Sequence, residues 1–292
     1  MPAPLLEKAS AKINLTLRVL GRRADGYHEL ESLVAFADLA DTLTLQPGHS
    51  TMLEVSGPFA AASGPLAENL VLKAVAELRH RKGGLKTGHF LLEKNIPVAA
   101  GIGGGSADAA AALRLLARVN GLSLDDPRLT SAALHVGADV PVCLDSRPRI
   151  MRGVGDLLSE PFDLPPLPAV LVNPRVALPT RDVFAEFAGT SPNTKFLGTV
   201  PRKPDALINF LRDYSNDLTP AAIRCAPVVG EVLMVLDVLP AVRLSRMSGS
   251  GPTCFAVFPS PGEAAAAARR LQDERKDWWV YCSTIGSVER RP

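Results

Sequence analysis

The sequence predicts an α+β fold in two domains, on three observations. Apolar and polar residues alternate strictly from Lys12 to Val19, the pattern of a strand. A glycine run, Gly103-Gly104-Gly105, opens a long Ala/Leu-rich stretch, the pattern of a buried helix. Strand and helix patterns then follow one another without the regular strand–helix–strand alternation of a doubly wound parallel sheet. The length of 292 residues suits about two domains and a substantial core.

Taken in order, Ile13, Leu15, Leu17 and Val19 form the apolar face of a half-buried strand over 12–19. Lys12, Asn14, Thr16 and Arg18 form its polar face. Asp25-Gly26 is a turn, and 41–46 is a second strand. The segment 47–65, rich in Gly, Pro and Ser, reads as a strand with loops. Leu70, Val71, Ala74, Val75 and Leu78 recur at helical spacing over 69–80. Residues 88–94 form a strand, and the helix after the glycines runs to about Val119, where Asn120-Gly121 closes it. A helix over 127–136 ends at Gly137. Prolines 161, 165, 166, 168, 174 and 179 then mark a boundary. It divides the chain into domains 1–155 and 156–292. Beyond it, 205–214 and 221–239 read as helices, 247–252 as a tight glycine turn, 253–258 as a strand, 263–275 as a helix and 278–283 as a strand.

Composition narrows the function. Thirty-two Lys and Arg against 30 Asp and Glu leave a net charge of +2, without the basic excess of a nucleic-acid binder. Nucleic acid is therefore not an expected partner. No run of 18 apolar residues exists, so no membrane partner is expected, and nothing calls for an obligate protein partner. The opening Met1-Pro2-Ala3-Pro4 lacks the pattern of a secretory signal. Cys143, Cys225, Cys254 and Cys282 show no CxxC spacing and lie in apolar stretches, which predicts buried reduced thiols in a cytoplasmic protein. His49, His80, His89 and His135 have no metal-ligand spacing.

The glycine loop points to chemistry. Gly101-Ile102-Gly103-Gly104-Gly105-Ser106 sits between a predicted strand and a long helix. Glycines let backbone N–H groups approach an anion, and the helix dipole adds about 0.3–1 kcal/mol for a phosphate. No Lys-Ser/Thr pair follows, so this is not a Walker A loop, and no HRD or DFG triplet marks a protein kinase.

The wider segment Pro97-Val98-Ala99-Ala100-Gly101-Ile102-Gly103-Gly104-Gly105-Ser106-Ala107-Asp108 resembles the phosphate loop of the GHMP small-molecule kinases. Two further motifs of that family stand in the right order: Ala11-Lys12-Ile13-Asn14-Leu15, and Met247-Ser248-Gly249-Ser250-Gly251-Pro252. Within the family, Gly21–Leu30, Gly137-Ala138-Asp139-Val140-Pro141 and Ser215-Asn216-Asp217-Leu218 resemble members whose acceptor alcohol carries a cytidine diphosphate. The resemblance implies the two-lobed GHMP-kinase fold, with an N-terminal ribosomal-S5-domain-2-like nucleotide lobe and a C-terminal ferredoxin-like substrate lobe. It implies ATP as co-substrate, Mg²⁺ with ligands unassigned, and a small cytidine diphosphate compound as phosphoryl acceptor.

The same resemblance assigns roles. Asp139 is the base that takes the alcohol proton and Lys12 its cationic partner. The strand pattern independently places Lys12 on the same face as Asn14. Residues Pro97 to Ala107 hold the nucleotide, with Gly101 to Ser106 on its β- and γ-phosphates and Asn69 and Lys94 near the adenine. Tyr27, His28 and Phe184 take the cytosine; Asn14 and Thr180 touch the diphosphate or the polyol. The family loop commonly has a second serine where this chain has Ala107. Homoserine- and mevalonate-type kinases are the first alternative, and Tyr27-His28, useless to them as a cytosine clamp, separates the two readings. A non-enzymatic sensor or nucleic-acid module on the same fold is the second; the charge balance and the Lys12/Asp139 pair argue against it.

Overall fold

The computed structural model describes residues 3–189 and 198–287. They form two compact units that interleave along the chain. The first takes the stretches Met1–Lys12, Leu39–Val98 and Gly103–Ser146; the second takes Ile13–Asp38, Ala99–Ile102 and Arg147–Pro292. Strand β1 spans Leu5–Asn14, β2 Arg18–Arg22 and β3 His28–Gly48. The 21-residue β3 gives its first part to the second unit and the rest, from Leu39, to the first.

In the first unit β3 is joined by β4 (Met52–Ser56) and β5 (Thr87–Glu93). β5 runs antiparallel to β3, with Leu43 opposite Leu92, and parallel to β4, with Leu53 opposite Phe90. Leu39, Asp41, Leu43 and Leu45 are buried in alternation, so an aspartate occupies an apolar phase. Four helices complete the unit: α1 (Leu70–Arg81), α2 (Gly104–Asn120), α3 (Pro127–Val136) and α4 (Val140–Asp145). The Asn69 side chain caps α1 by accepting from the Val71 N–H, and Asp126 caps α3. Ala107 through Ala117 are all buried, so α2 is enclosed rather than amphipathic, and its alanines let α1, α3 and α4 pack closely. Gly121, at φ 63°, ends it.

The second unit holds β2, the start of β3, β6 (Arg149–Gly153), β7 (Leu157–Leu158), β8 (Leu167–Asn173), β9 (Leu244–Met247), β10 (Cys254–Val257) and β11 (Trp279–Gly286). Its sheet runs β3–β11–β8–β10–β9, antiparallel throughout. Helices α5 (Thr180–Glu186), α6 (Pro204–Arg212), α7 (Thr219–Cys225), α8 (Val228–Asp237) and α9 (Pro261–Glu274) accompany it. Val170, Val172, Ala256 and Phe258 meet Val229, Val232, Leu236 and Leu271 in the core.

Three expectations are corrected. The alternating stretch 12–19 is not one half-buried strand: β1 ends at Asn14, β2 begins at Arg18, and both faces are buried. The polar residues can go inside because they are paired. Thr16 Oγ1 accepts from the Leu33 N–H, and Arg18 meets Glu31 at 2.8 Å. The helix over 221–239 is two helices, interrupted at Ala226-Pro227, where proline cannot continue the backbone hydrogen bonds of α7. Cys143 and Cys254 are buried, but Cys225 and Cys282 are exposed; all four are free thiols.

Candidate active site

In the first unit, Lys12 and Asp139 are 127 residues apart in sequence, yet Lys12 Nζ donates to Asp139 Oδ2 at 2.8 Å. Asp139 is the N-cap residue of α4, but its carboxylate does not cap the helix and is left for Lys12. The Lys12 side chain is 4% exposed and that of Asp139 34%. A buried ammonium thus steadies a carboxylate that solutes can reach. Arg114 of α2 ties together the elements carrying the pair. It donates to Glu7 Oε2 at 2.8 Å, to the Lys8 carbonyl at 2.7 Å and to the Cys143 carbonyl at 2.9 Å. Burial pushes the Cys143 thiol up to about 12, with the Asp139 charge adding to the effect.

The glycine loop lies over the Lys12 stem. Gly103 is the left-handed N-cap of α2, at φ 65°, and a Cβ there would stand 3.2 Å from Lys12 Cβ. Being glycine, it offers no side-chain acceptor to the first-turn N–H groups of α2. Gly105 abuts Leu70, the first residue of α1, which places the loop next to the Asn69 cap. Ala107 is buried.

Lys94 is engaged from two sides. Its ammonium bonds Asp41 Oδ2 and, at 2.7 Å, Asp108 Oδ2, and all three side chains are buried. Burial alone would pull the Lys94 ammonium down, but the two carboxylates outweigh it and the net shift is upward. Burial raises the Asp108 carboxyl to about 8; Lys94 opposes this and Asp41 adds to it. Folded Asp108 therefore keeps a proton that the unfolded chain releases near 3.8. The native state binds more protons than the unfolded state between about pH 4 and 8, so this group costs stability as pH rises through that window. Asp108→Asn, which cannot ionise, is expected to lose less stability than the parent between pH 5 and 8. Urea midpoints of both proteins at the two pH values check this; equal losses would show that Asp108 is ionised throughout.

In the second unit, Ala99–Ile102 packs on the glycine turn that follows β9. Ser248 Oγ donates to the Gly101 carbonyl, and the Thr253 N–H donates to the Ala100 carbonyl. Gly249 and Gly251 have positive φ, 57° and 82°. Asn216 Nδ2 donates to the Met247 and Gly249 carbonyls and so holds the turn. Asn14 is buried: its N–H donates to Ser248 Oγ and its Nδ2 to Ser32 Oγ, while its Oδ1 has no partner. Thr180 Oγ1 lies 2.9 Å from Ser250 Oγ. The His28 ring stacks on Phe184 at 5.0 Å and meets Phe187 edge-on. Burial, helped by Arg22, lowers the His28 pKa, so its imidazole is neutral near pH 7. Tyr27 stands on the turn at Gly26, 67% exposed.

Each unit thus brings some of the expected residues together. Lys12, Asp139 and Gly103 meet in the first; His28 meets Phe184, and Thr180 meets the Ser250 turn, in the second. Asp41, Asp108, Arg114, Asn216 and Ser248 had no assigned part in the site. Asp108, Asn216 and Ser248 stand inside the family motifs, and Asp41 carries a local signal, a charge in phase with Leu39, Leu43 and Leu45.

The model of GHMP kinases N terminal domain matches residues 69–147, and that of GHMP kinases C terminal matches 203–277. The chain is 53% identical over 294 residues to a protein of Bradyrhizobium sp. (strain BTAi1 / ATCC BAA-1182) named 4-diphosphocytidyl-2-C-methyl-D-erythritol kinase, covering 97% of each. It is 54% identical over 292 residues to a protein of the same name from Nitrobacter hamburgensis (strain DSM 10229 / NCIMB 13809 / X14), covering 96% of this chain and 95% of the other. A crystal structure of 4-(cytidine 5'-diphospho)-2C-methyl-D-erythritol kinase superposes with a TM-score of 0.79 at 35% identity, over 97% of this chain and 100% of that one. A homoserine kinase from Cytophaga hutchinsonii shares the fold, with a TM-score of 0.75 at 18% identity over 98% of this chain and 96% of its own.

Proposed function

This chain belongs to the GHMP kinases, and from that premise we propose that it transfers the γ-phosphoryl group of ATP to the 2-hydroxyl of 4-diphosphocytidyl-2-C-methyl-D-erythritol, giving the 2-phosphate and ADP. That is a step of isoprenoid precursor synthesis by the non-mevalonate route. One observation carries the chemistry: a buried ammonium and an accessible carboxylate meet at 2.8 Å, with the Lys12 stem lying against Gly103.

In this reading the acceptor oxygen attacks the γ-phosphorus as the bond to the β-phosphate oxygen breaks. Asp139 takes the hydroxyl proton late in that step. The transition state is loose, so positioning and charge neutralisation matter more than base strength. Lys12 faces the phosphoryl oxygens, where negative charge is concentrated. The segment Pro97 to Ala107 cradles the nucleotide, with the first-turn amides of α2 on its phosphates, and Asn69 and Lys94 lie near the adenine. Since the Lys94 ammonium is already held by Asp41 and Asp108, its contribution is through its stem and the backbone it anchors.

The cytosine joins the ring stack of His28 and Phe184, with Tyr27 as a further face. A neutral His28 can donate at one ring nitrogen and accept at the other, which suits the edge of a pyrimidine. The unpartnered Oδ1 of buried Asn14 suits an acceptor hydroxyl, and Thr180 the diphosphate. Among the described residues no group of three or more His, Cys, Asp or Glu is arranged to hold a metal. Mg²⁺ bound with ATP would neutralise charge on the triphosphate, with no ligand on this chain assigned to it. Among the described residues no helix is long and apolar enough to cross a membrane.

The test offers ATP with the cytidine diphosphate alcohol, homoserine or mevalonate as acceptor. The expected preference for the first is about 10⁴-fold or more in kcat/KM, the discrimination typical of a site that hydrogen-bonds its substrate. Turnover of homoserine or mevalonate alone would overturn the proposal.

A further inference from the structure

Asp108 stands one turn beyond the glycines, without a role in the chemistry above. It is 3% exposed; Oδ2 accepts from Lys94 Nζ, while Oδ1 is buried with no partner. Leaving a buried carboxyl oxygen unpaired is costly, and well-packed apolar groups often replace buried ion clusters without loss. Stability is thus a poor reason for this residue.

Its connections suggest a better one. Asp41 Oδ1 accepts the backbone N–H groups of Asn95 at 2.5 Å and Ile96 at 2.8 Å, and its Oδ2 accepts from Lys94 Nζ. Asp41 and the Lys94 ammonium therefore clamp three consecutive residues, 94–96, just before the loop. Through Asp108 the same ammonium holds the first turns of α2, just after the loop. Ile96 in turn forms the floor of the loop: a Cβ on Gly104 would stand 3.0 Å from Ile96 Cγ2 and 3.5 Å from Lys94 Nζ. One ammonium thus joins the entry and the exit of the glycine loop. Of its two anchors, Asp108 is the one on the helix whose N–H groups face the phosphates in the reading above.

We propose that Asp108 is a positioning residue for the nucleotide: through Lys94 it fixes the exit of the glycine loop against its entry, and so sets the direction of the first-turn N–H groups of α2. This rests on the kinase reading. Removing the carboxyl leaves Lys94 balanced by Asp41, so no buried charge is stranded and the fold is expected to survive. The loop exit then shifts, and a misplacement of about 1 Å is enough to cost about 100-fold in rate.

Asp108→Asn and the near-isosteric Asp108→Leu provide the test in the full-length protein. Calorimetry measures ATP binding without acceptor, and steady-state kinetics separate the two substrates. Both variants are expected to fold, to bind ATP about 10- to 100-fold more weakly, and to keep the KM of the acceptor within about twofold. ATP affinity within twofold of the parent in a folded variant overturns the proposal. So does an equal loss for both substrates, or failure of both variants to fold, since each marks a purely structural residue. If the parent itself binds no ATP, the kinase reading fails, and this inference with it.

Discussion

Asp139→Asn is expected to lower kcat by about 10²- to 10⁴-fold, the usual worth of a positioned general base, while ATP binding stays within about twofold of the parent. The amide keeps the shape of the side chain but cannot take a proton. It also leaves the Lys12 ammonium, 4% exposed, without its anionic partner. Because Asp139 is a third exposed, water offsets part of that loss, and the stability cost is expected to be about 1 kcal/mol. Single-turnover kinetics with saturating ATP and acceptor, together with calorimetric ATP binding, separate the two effects. A kcat within fivefold of the parent would mean that another group takes the proton. A loss of ATP binding equal to the loss of kcat would mean that Asp139 shapes the nucleotide site instead.

Gly101→Ala is expected to be strongly destabilising. A methyl there would lie 2.4 Å from the Gly251 carbonyl oxygen and 2.9 Å from that of Ser248, both backbone atoms that cannot swing aside. Gly101 also has φ 73°, where a side chain adds about 1–2 kcal/mol of strain. With overpacking of about 1–3 kcal/mol, the total loss is about 2–5 kcal/mol. Gly121→Ala is the control: its φ of 63° is similar, but nothing lies within 4 Å of the added methyl, so only the strain remains. Urea unfolding of the two variants reads the difference. Equal midpoints would show that the turn after β9 yields easily and that the close approach of the two glycine segments is not needed.

The sequence made helices more legible than partners. Asn69, Asp126-Pro127 and Asn120-Gly121 are local start and stop signals, and α1, α2 and α3 lie within a residue or two of where those signals put them. The 21-residue β3 is legible only at 41–46, because Leu33 through Ala37 are buried on both faces and a continuous apolar run carries no period. Pro227 gives no clear break in the pattern because apolar residues flank it on both sides. At the site, the Lys12–Asp139 contact came from motif resemblance; nothing local in the chain tells residue 12 that its partner is residue 139. Asp41, Lys94 and Asp108 show the limit more sharply. Nothing in the sequence links the three charges to one another, and only the folding of β3, β5 and α2 into one unit makes them a cluster.

The unequal burial of the thiols has a practical side. Cys225 and Cys282 are open to solvent, whereas Cys143 and Cys254 are enclosed and burial holds both far from ionisation. Fluorophores can therefore be coupled to the natural chain at two known points, with no engineered residue.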